Sequence, residues 1–471
     1  MLTDLSWLAK GQQFPPQCEV ERLERYKENK RIFNNNHLEV YKQQWKRIER
    51  VIGSRAEVIS YPIVLNYQKK ISLKIADFLF VEPPVYDSTK GEDETETNND
   101  KQREIIESIT DNSNLNNIGY QGAIDMSRFG DSVFKVDIID GKGSISITSP
   151  EYLFIIVDPD NRKIVRNYVL AWQYEKTNSR GNKQKYVDAF IHSKGSYIKK
   201  TFELTNGMLS GAIEETEEKT GLNDFAVIPV QNIVTSDSIY GIDDYMDVDS
   251  IISEIEIRTA QISKILDIHA NPSLTGPQAA LTFNKRTGER EFKPGDYYQR
   301  NSMEEPPIEY LVWEASLESN FKQIDNLLKF LSDISEMGAT IFAGDMKPGN
   351  IPSGSAMKRL YISALAKVTR FRNSMDAGFK KAIALASQVG YEMTLKKEDI
   401  SITWQDGLPT DEVENADIIS KRTQGQSMSV ERAIQQYDGL KQKAAQEEVQ
   451  TISDEQAAAQ GMTFERKATE E

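Results

Sequence analysis

A single cysteine, Cys18, in 471 residues leaves nothing for an internal disulfide framework or a cysteine-rich metal cluster. Histidine is nearly as scarce. His37, His192 and His269 are the only three, far apart in sequence, and each is expected at the surface or at a helix end and not on a metal. No apolar run approaches the roughly 20 residues of a membrane span, so no membrane partner is expected. The opening stretch, MLTDLSWLAKGQQF, has an early acid and too short an apolar segment for a signal peptide, which places folding in a cytoplasm. Catalytic signatures are missing as well. There is no G-x-S-x-G nucleophile elbow and no H-E-x-x-H zinc motif, and GNIPSGS at Gly349–Ser355 lacks the lysine that a phosphate-binding loop carries after its second glycine. No cofactor, no metal and no catalytic residue is expected.

What the chain does have is acid and length. Its formal net charge is -15, its pI is near 5.0 and its mean hydropathy is -0.53, which describe a polar, water-loving protein. Its length suggests roughly two to four substructures. Residues from Glu19 to Ile52 read as charged helices broken at Asn34, Asn35 and Asn36, with Leu23, Tyr26, Val40, Trp45 and Ile48 inward. In VLNYQKKISLKIADFLFVEPPVY, the spacing of Val64, Tyr67, Ile71, Ile75, Phe78 and Leu79 predicts a helix ended by Pro83 and Pro84. GEDETETNND, from Gly91 to Asp100, is too acidic to pack and predicts a mobile surface loop.

Strands follow a helix at Asn117–Phe129. SVFKVDII, a turn at DGKG and SISIT read as a hairpin, because Asp-Gly supplies the positive φ angles of a tight turn. Tyr168–Tyr174, Lys185–Ile191 and Ser196–Leu204 continue as a meander, and the acidic EETEEK near Glu214 reads as a solvated loop. DPDNR, with Asp158 and Asp160, is turn chemistry. A helix is expected to begin within GIDDYMDVDS, where Asp243, Asp244 and Asp247 suit the positive end of its dipole, with Ile251, Ile255, Ile262 and Leu266 as its stripe up to Asn271-Pro272. A small β-rich insert, LTFNKRTGEREFKPGDYYQ, then carries mixed charges that fit a solvated hairpin or a polar interface equally. The chain returns through a second stripe, Leu317, Phe321, Ile324, Leu328, Leu331 and Ile334, which would pack on the first.

The segment Gly338–Gly390 is the most distinctive. ATIFAGDMKPGNIPSGSAMKRL is too rich in glycine and proline for helix or strand, and it empties into YISALAKVTRFRNSMDAGFKKAIALASQVG. Ser353 or Ser355 can cap that helix, whose apolar stripe runs Met357, Leu360, Ile362, Leu365, Val368, Phe371 and Met375. Its other face carries Lys358, Arg359, Lys367, Arg370, Arg372, Lys380 and Lys381, with Asp376 the only acid. Such a face is either solvated or a polyanion contact. Beyond Gly390 come a strand at SITW, a turn, a helix, and Ser429 as the cap of another helix, followed by a charged, helix-prone tail from Lys441 to Glu471.

The order of helix, Gly/Pro loop, SGSAMKRL and long basic helix resembles the tunnel-loop region of tailed-bacteriophage portal proteins of the SPP1-like group. The N-Y-x-K-x-I helix closing on Pro83-Pro84 and the TQGQSMSVERA segment are similar to that family too. The resemblance implies an α+β portal fold: wing 1–240, stem helices 241–271 and 313–338 around a clip at 272–312, tunnel loop 339–355, long helix 356–390, and crown with tail 391–471. It implies a dodecameric ring at one capsid vertex of a virion, assembled in the host cytoplasm. Double-stranded DNA would pass through it without sequence reading. The terminase large subunit, head-tail adaptor, major capsid and scaffold proteins are its implied partners.

On this resemblance Phe342, Asp345, Met346, Lys347 and Asn350 are expected to line the channel. Lys358, Arg359, Lys367 and Arg370 are expected to touch DNA or a neighbouring subunit. Arg286, Glu289, Arg290, Glu291 and Lys293 in the clip would meet the motor or adaptor. Overall acidity suits a conduit, since many lysine or arginine contacts to phosphate would hold a duplex in place through counterion release. Two alternatives stay open: another virion structural protein such as an adaptor or scaffold, and a metal-dependent nuclease using Asp158, Asp160, Asp243, Asp244 and Asp247.

Overall fold

The computed structural model describes residues 1–51, 62–89, 96–177, 181, 183–270, 274–275, 282–283, 288, 290–291, 309–310, 318–343, 358–405, 407, 412–438, 440 and 444–455. The chain divides into two compact units, Met1–Asp345 with Tyr361–Gly407, and Met346–Leu360 with Leu408–Glu471. Helix and sheet are mixed, as the α+β class expects. Among the described residues no helix is long and apolar enough to cross a membrane.

The first unit opens with helices α1 (Val20–Phe33), α2 (His37–Val40) and α3 (Lys42–Val51). They break where Asn35 sits at φ 66°, a left-handed conformation that asparagine tolerates. Leu23, Tyr26 and Trp45 are buried as expected. Helix α4 (Tyr67–Phe80) starts at Asn66, whose Oδ1 accepts the Lys69 N–H at 2.9 Å, satisfying one of the unpaired first-turn donors. Ile71, Ile75 and Leu79 on it are fully buried, and it stops ahead of Pro83 and Pro84, which cannot continue a helix.

After β1 (Val85–Ser88) the acidic stretch departs from expectation. Glu96–Asp100 form the first turns of helix α5 (Glu96–Ser113) and not a loop, while residues 90–95 lie outside the described ones. Ile105, Ile106 and Ile109 bury one face of α5, and its acid-bearing N-terminus is favoured by the helix dipole. Asn99, expected to be solvated, is buried, and its Oδ1 accepts from the Ser88 hydroxyl at 2.5 Å.

Helix α6 (Leu115–Phe129) leads into β2 (Asp131–Ile139) and β3 (Lys142–Thr148). Strands β4 (Leu153–Val157), β5 (Val165–Thr177), β6 (Lys183–Ser193), β7 (Ser196–Thr205), β8 (Met208–Lys219) and β9 (Val227–Gln231) follow. Two sheets result: three strands in the order β3-β2-β9, and an antiparallel meander from β4 to β8. The turns Asp140-Gly141 (φ 51°, 78°) and Asn206-Gly207 (φ 52°, 78°) have both residues at positive φ, the twist that matches flanking strands. EETEEK is part of edge strand β8 and not a loop, with Glu215 opposite Lys200 and its carboxylate 3.1 Å from the lysine. Its charges leave the edge unattractive to a further strand. Trp7, Phe129, Phe154, Val187 and Phe202 form the core between this sheet and the N-terminal segment.

Helix α7 (Asp249–Ala270) begins only at the end of GIDDYMDVDS. Ile252, Ile255 and Ile262 are buried, whereas Leu266, expected in the stripe, is half exposed. Short pairs close the insert: β10 (Leu274–Thr275) and β13 (Glu309–Tyr310) are antiparallel partners, as are β11 (Thr282–Phe283) and β12 (Arg290–Glu291). Helix α8 (Glu318–Ile334) packs on α7. Its Leu331 is buried, but Phe321, Phe330 and Ile334 stand out in solvent.

A one-turn helix, α9 (Ala339–Ala343), precedes the undescribed residues 344–357, and α10 (Ile362–Ala386) follows them. Ser353 and Ser355, expected as caps, lie outside the described residues. Phe379 of α10 is the hub of the packing, with rings of Phe80, Tyr86, Phe134 and Trp404 around it. Val368, Phe371 and Met375 are buried as the stripe predicts, and Ile362 is exposed. Strand β14 (Ile400–Thr403) pairs with β1. In the second unit α11 (Glu412–Gln424) precedes α12 (Val430–Ala433), where Ser429 Oγ caps by accepting the Arg432 N–H at 3.2 Å. Residues 444–455 are helical.

Candidate nucleic-acid interface

Helix α8 ends in a chain reversal, Ser335–Gly338, that turns into α9. Glu336 adopts φ 60° and Gly338 φ 78°, and the Ser335 carbonyl is left beyond the helix end. Helix α10 supplies its donor. The Lys367 ammonium donates to Ser335 O at 3.0 Å and lies 2.9 Å from Asp244 Oδ1. Asp244 is itself held by the Asn232 amide at 3.1 Å, and its N–H donates to Ser127 O at 2.8 Å. One helical turn on, Arg370 pairs with Glu336.

This geometry corrects the expectation for Lys367. It is 5 % exposed and inside an ion pair, so it is not on a surface that could meet DNA or a neighbour. Arg370 is on the surface but engaged by Glu336. Farther along, Arg372 donates to Gln405 O, Lys380 pairs with Asp376 at 2.9 Å, and Lys381 pairs with Asp224 at 2.8 Å. The basic face, read from sequence as solvated or polyanion-binding, is mostly committed to acids and carbonyls of its own chain.

Phe342, expected to line a channel, is buried to 7 % exposure with its ring edge-on to Tyr67 at 5.6 Å. Asp345, Met346, Lys347 and Asn350 lie outside the described residues. Lys358 and Arg359 are exposed. In the insert, Arg290 and Glu291 form β12, while Arg286, Glu289 and Lys293 lie outside the described residues.

Of the acids weighed for a metal role, Asp158, Asp243 and Asp244 have protein partners, and Asp247 is exposed. Arg25 binds Asp243 Oδ1 at 2.9 Å and Asp249 Oδ2 at 2.7 Å. Tyr41 and Gln68 donate to Asp249 Oδ1 at 3.0 and 3.1 Å. Burial pushes the Asp243 carboxyl above its ordinary range, opposed by Arg25. Burial also disfavours the Arg25 charge, but Asp243 and Asp249 outweigh it and raise Arg25 above an ordinary arginine. Asp158 forms the expected turn, accepting from the Asp160 N–H at 2.9 Å, and pairs with Arg166. Among the described residues no group of three or more His, Cys, Asp and Glu is placed to hold a metal ion.

His37 and His192 are 0 % and 1 % exposed: His37 opens α2 with its Nε2 3.0 Å from Ile32 O in the last turn of α1, the helix-end place expected, whereas His192 sits inside strand β6 and departs from expectation. Sequence reasoning missed these buried polar contacts because the partners are remote, 218 positions apart for Arg25 and Asp243. The side chain of His269 lies outside the described ones.

A family model described as "Phage portal protein, SPP1 Gp6-like" matches residues 14–462. No curated protein matches the chain. Among solved structures, a chain in "Virion of native gene transfer agent (GTA) particle" superposes with a TM-score of 0.44 at 11% identity, covering 79% of this chain and 90% of that one. A chain in "Neck of native GTA particle computed with C12 symmetry" gives 0.43 at 9% identity, covering 78% and 88%.

Proposed function

We infer the role of this chain from the family to which it belongs, the SPP1 Gp6-like phage portal proteins, whose model spans residues 14–462: it is the portal protein of a phage-like particle. That match carries the conclusion. The order of α7, a β-paired insert, α8, α9 and α10 supports it, since two packed helices around a small insert suit a stem and clip.

In finer detail, the chain forms a dodecameric ring around a DNA channel at one capsid vertex. Residues 1–240 are its wing, 241–271 and 313–338 its stem, 272–312 its clip, 339–355 its tunnel loop, 356–390 its long helix and 391–471 its crown and tail. The clip, with Arg286, Glu289, Arg290, Glu291 and Lys293, docks the terminase motor and later the head-tail adaptor. The family is structural, and no catalytic role is assigned. Asp345, Met346, Lys347 and Asn350 line the channel, and Lys358 and Arg359 touch DNA or a neighbouring subunit. Phe342 and Lys367 leave this set because they are buried. Arg370, exposed beside Glu336, stays in it. Repeated around a ring, a few cations per subunit would guide a duplex through its phosphates without reading bases.

Negative-stain electron microscopy of the purified protein tests the ring: annular particles with a duplex-wide channel are expected, and filaments or solid particles would refute it. Lys347→Asp tests the loop. Packaging should fall while rings persist, and loss of the rings themselves would count against a channel role for Lys347.

A further inference from the structure

Lys367 and Arg370 lie one turn apart on α10 and hold two consecutive residues, Ser335 and Glu336, at the reversal between α8 and α9. The arrangement is expensive to build. Lys367 and Asp244 are 6 % and 2 % exposed as side chains, and a buried ion pair is often no more stabilising than apolar residues of the same size. Among the described residues Asp244 Oδ2 has no hydrogen-bond partner. Glu336 also occupies positive φ, which is uncommon for a residue with a side chain. Stability alone does not account for a buried charge, an unpaired carboxylate oxygen and a left-handed glutamate in one place. Geometry does: the Lys367 ammonium reaches from α10 to give the Ser335 carbonyl, beyond the end of α8, a donor.

We propose that Lys367, seconded by Arg370, is a positioning residue that ties the reversal Ser335–Gly338 to α10, and so sets the separation between the C-terminal end of α8 and α10. The consequence for DNA passage rests on the portal assignment; the tie itself does not.

The test is a distance measurement in the full chain. With Cys18→Ser as background, spin labels go on the exposed positions Asp333 and Ala366, and labelled chain is diluted into unlabelled chain so that only pairs within one subunit are read. Asp244→Asn keeps the lysine on Ser335 and should retain the narrow label-to-label distribution. Lys367→Met with Asp244→Leu removes both charges, leaves no buried unpaired carboxylate, and should broaden or shift the distribution. An unchanged narrow distribution in that folded double variant overturns the proposal. Should it fail to fold, Lys367→Gln with Asp244→Asn, which keeps the buried site polar and uncharged, provides the reading: broadening supports the tie and an unchanged distribution refutes it. Packaging is scored separately. Displaced labels with normal DNA filling would keep the tie and remove its role in the channel, whereas absence of rings in the unmutated chain would strike the portal assignment and leave the distance result standing.

Discussion

His37 Nδ1 lies 2.8 Å from Glu256 Oε1, with both side chains sealed from solvent. The other ring nitrogen, Nε2, is 3.0 Å from Ile32 O, and the Leu65 N–H donates to the same Glu256 oxygen at 2.9 Å. Four segments of the first unit therefore meet at one imidazole: the end of α1, α2 itself, the lead-in to α4, and α7.

Removing one partner strands the other in a dry site. His37→Leu and Glu256→Leu are each expected to destabilise by about 1–3 kcal/mol, the cost of leaving a buried polar group unsatisfied. The double replacement should cost clearly less than the sum. Urea unfolding of all four proteins at one concentration measures the cycle, and additive losses would show that the two groups do not interact.

Asp249 accepts from Arg25, Tyr41 and Gln68 at once. Asp249→Ala leaves the Tyr41 hydroxyl without its acceptor and removes one of two partners from Arg25 and from Gln68, and should cost about 3 kcal/mol. A chelator should leave the melting temperature of the parent protein unchanged, because the carboxylate's partners are protein groups. A drop in melting temperature with chelator would point to a bound metal instead.

His192 carries the pH dependence. It is 1 % exposed, neither ring nitrogen has a hydrogen-bond partner among the described residues, and burial lowers its pKa to about 4, with Lys135 adding to the shift. The native state thus binds fewer protons than the unfolded chain between that value and an ordinary histidine's, roughly 6.5. Its contribution is fully present above pH of about 6.5 and is lost as pH falls towards 4, amounting to about 3 kcal/mol. His192→Leu should flatten the loss of stability over this window. Asp125 and Asp131, raised by burial to about 6, act with the opposite sign, so the comparison is between variant and parent at each pH. Parallel curves would remove His192 as the cause.

Gly143 marks where α10 closes on the hairpin. A Cβ there would stand 2.1 Å from Ala386 O, with no flexible side chain to give way. Gly143→Ala should destabilise by at least about 1–3 kcal/mol, the range for overpacking. Gly211→Ala, where nothing lies within 4 Å, should stay within about 0.5 kcal/mol. Thermal melts of the two variants decide it; equal effects would refute the close approach.

Much of the architecture was legible in the chain. The stripe of α4, its stop before Pro83-Pro84, the Asp140-Gly141 hairpin and the Ser429 cap each follow from neighbours within a few residues, and each is where the local pattern puts it. EETEEK and Glu96–Asp100 went astray for a shared reason: polarity signals exposure, and an edge strand or the first turns of a helix can be both regular and exposed. The stripe of α8 was legible as a period but not as a buried surface, since Phe321, Phe330 and Ile334 have no cover within one chain.

By itself the sequence determined the order of elements, the places where helices start and stop, and the resemblance that the family match supports, because these depend on backbone geometry and on side chains a turn or two apart. Only the tertiary structure decided which charges are surface and which are structure. Lys367 and Arg359 share one basic stretch, yet Lys367 is buried against Asp244 and Ser335 while Arg359 stands in solvent. The difference comes from which distant segment the fold brings opposite each one. A cation's partner is chosen by topology across the chain, and local spacing carries no record of it.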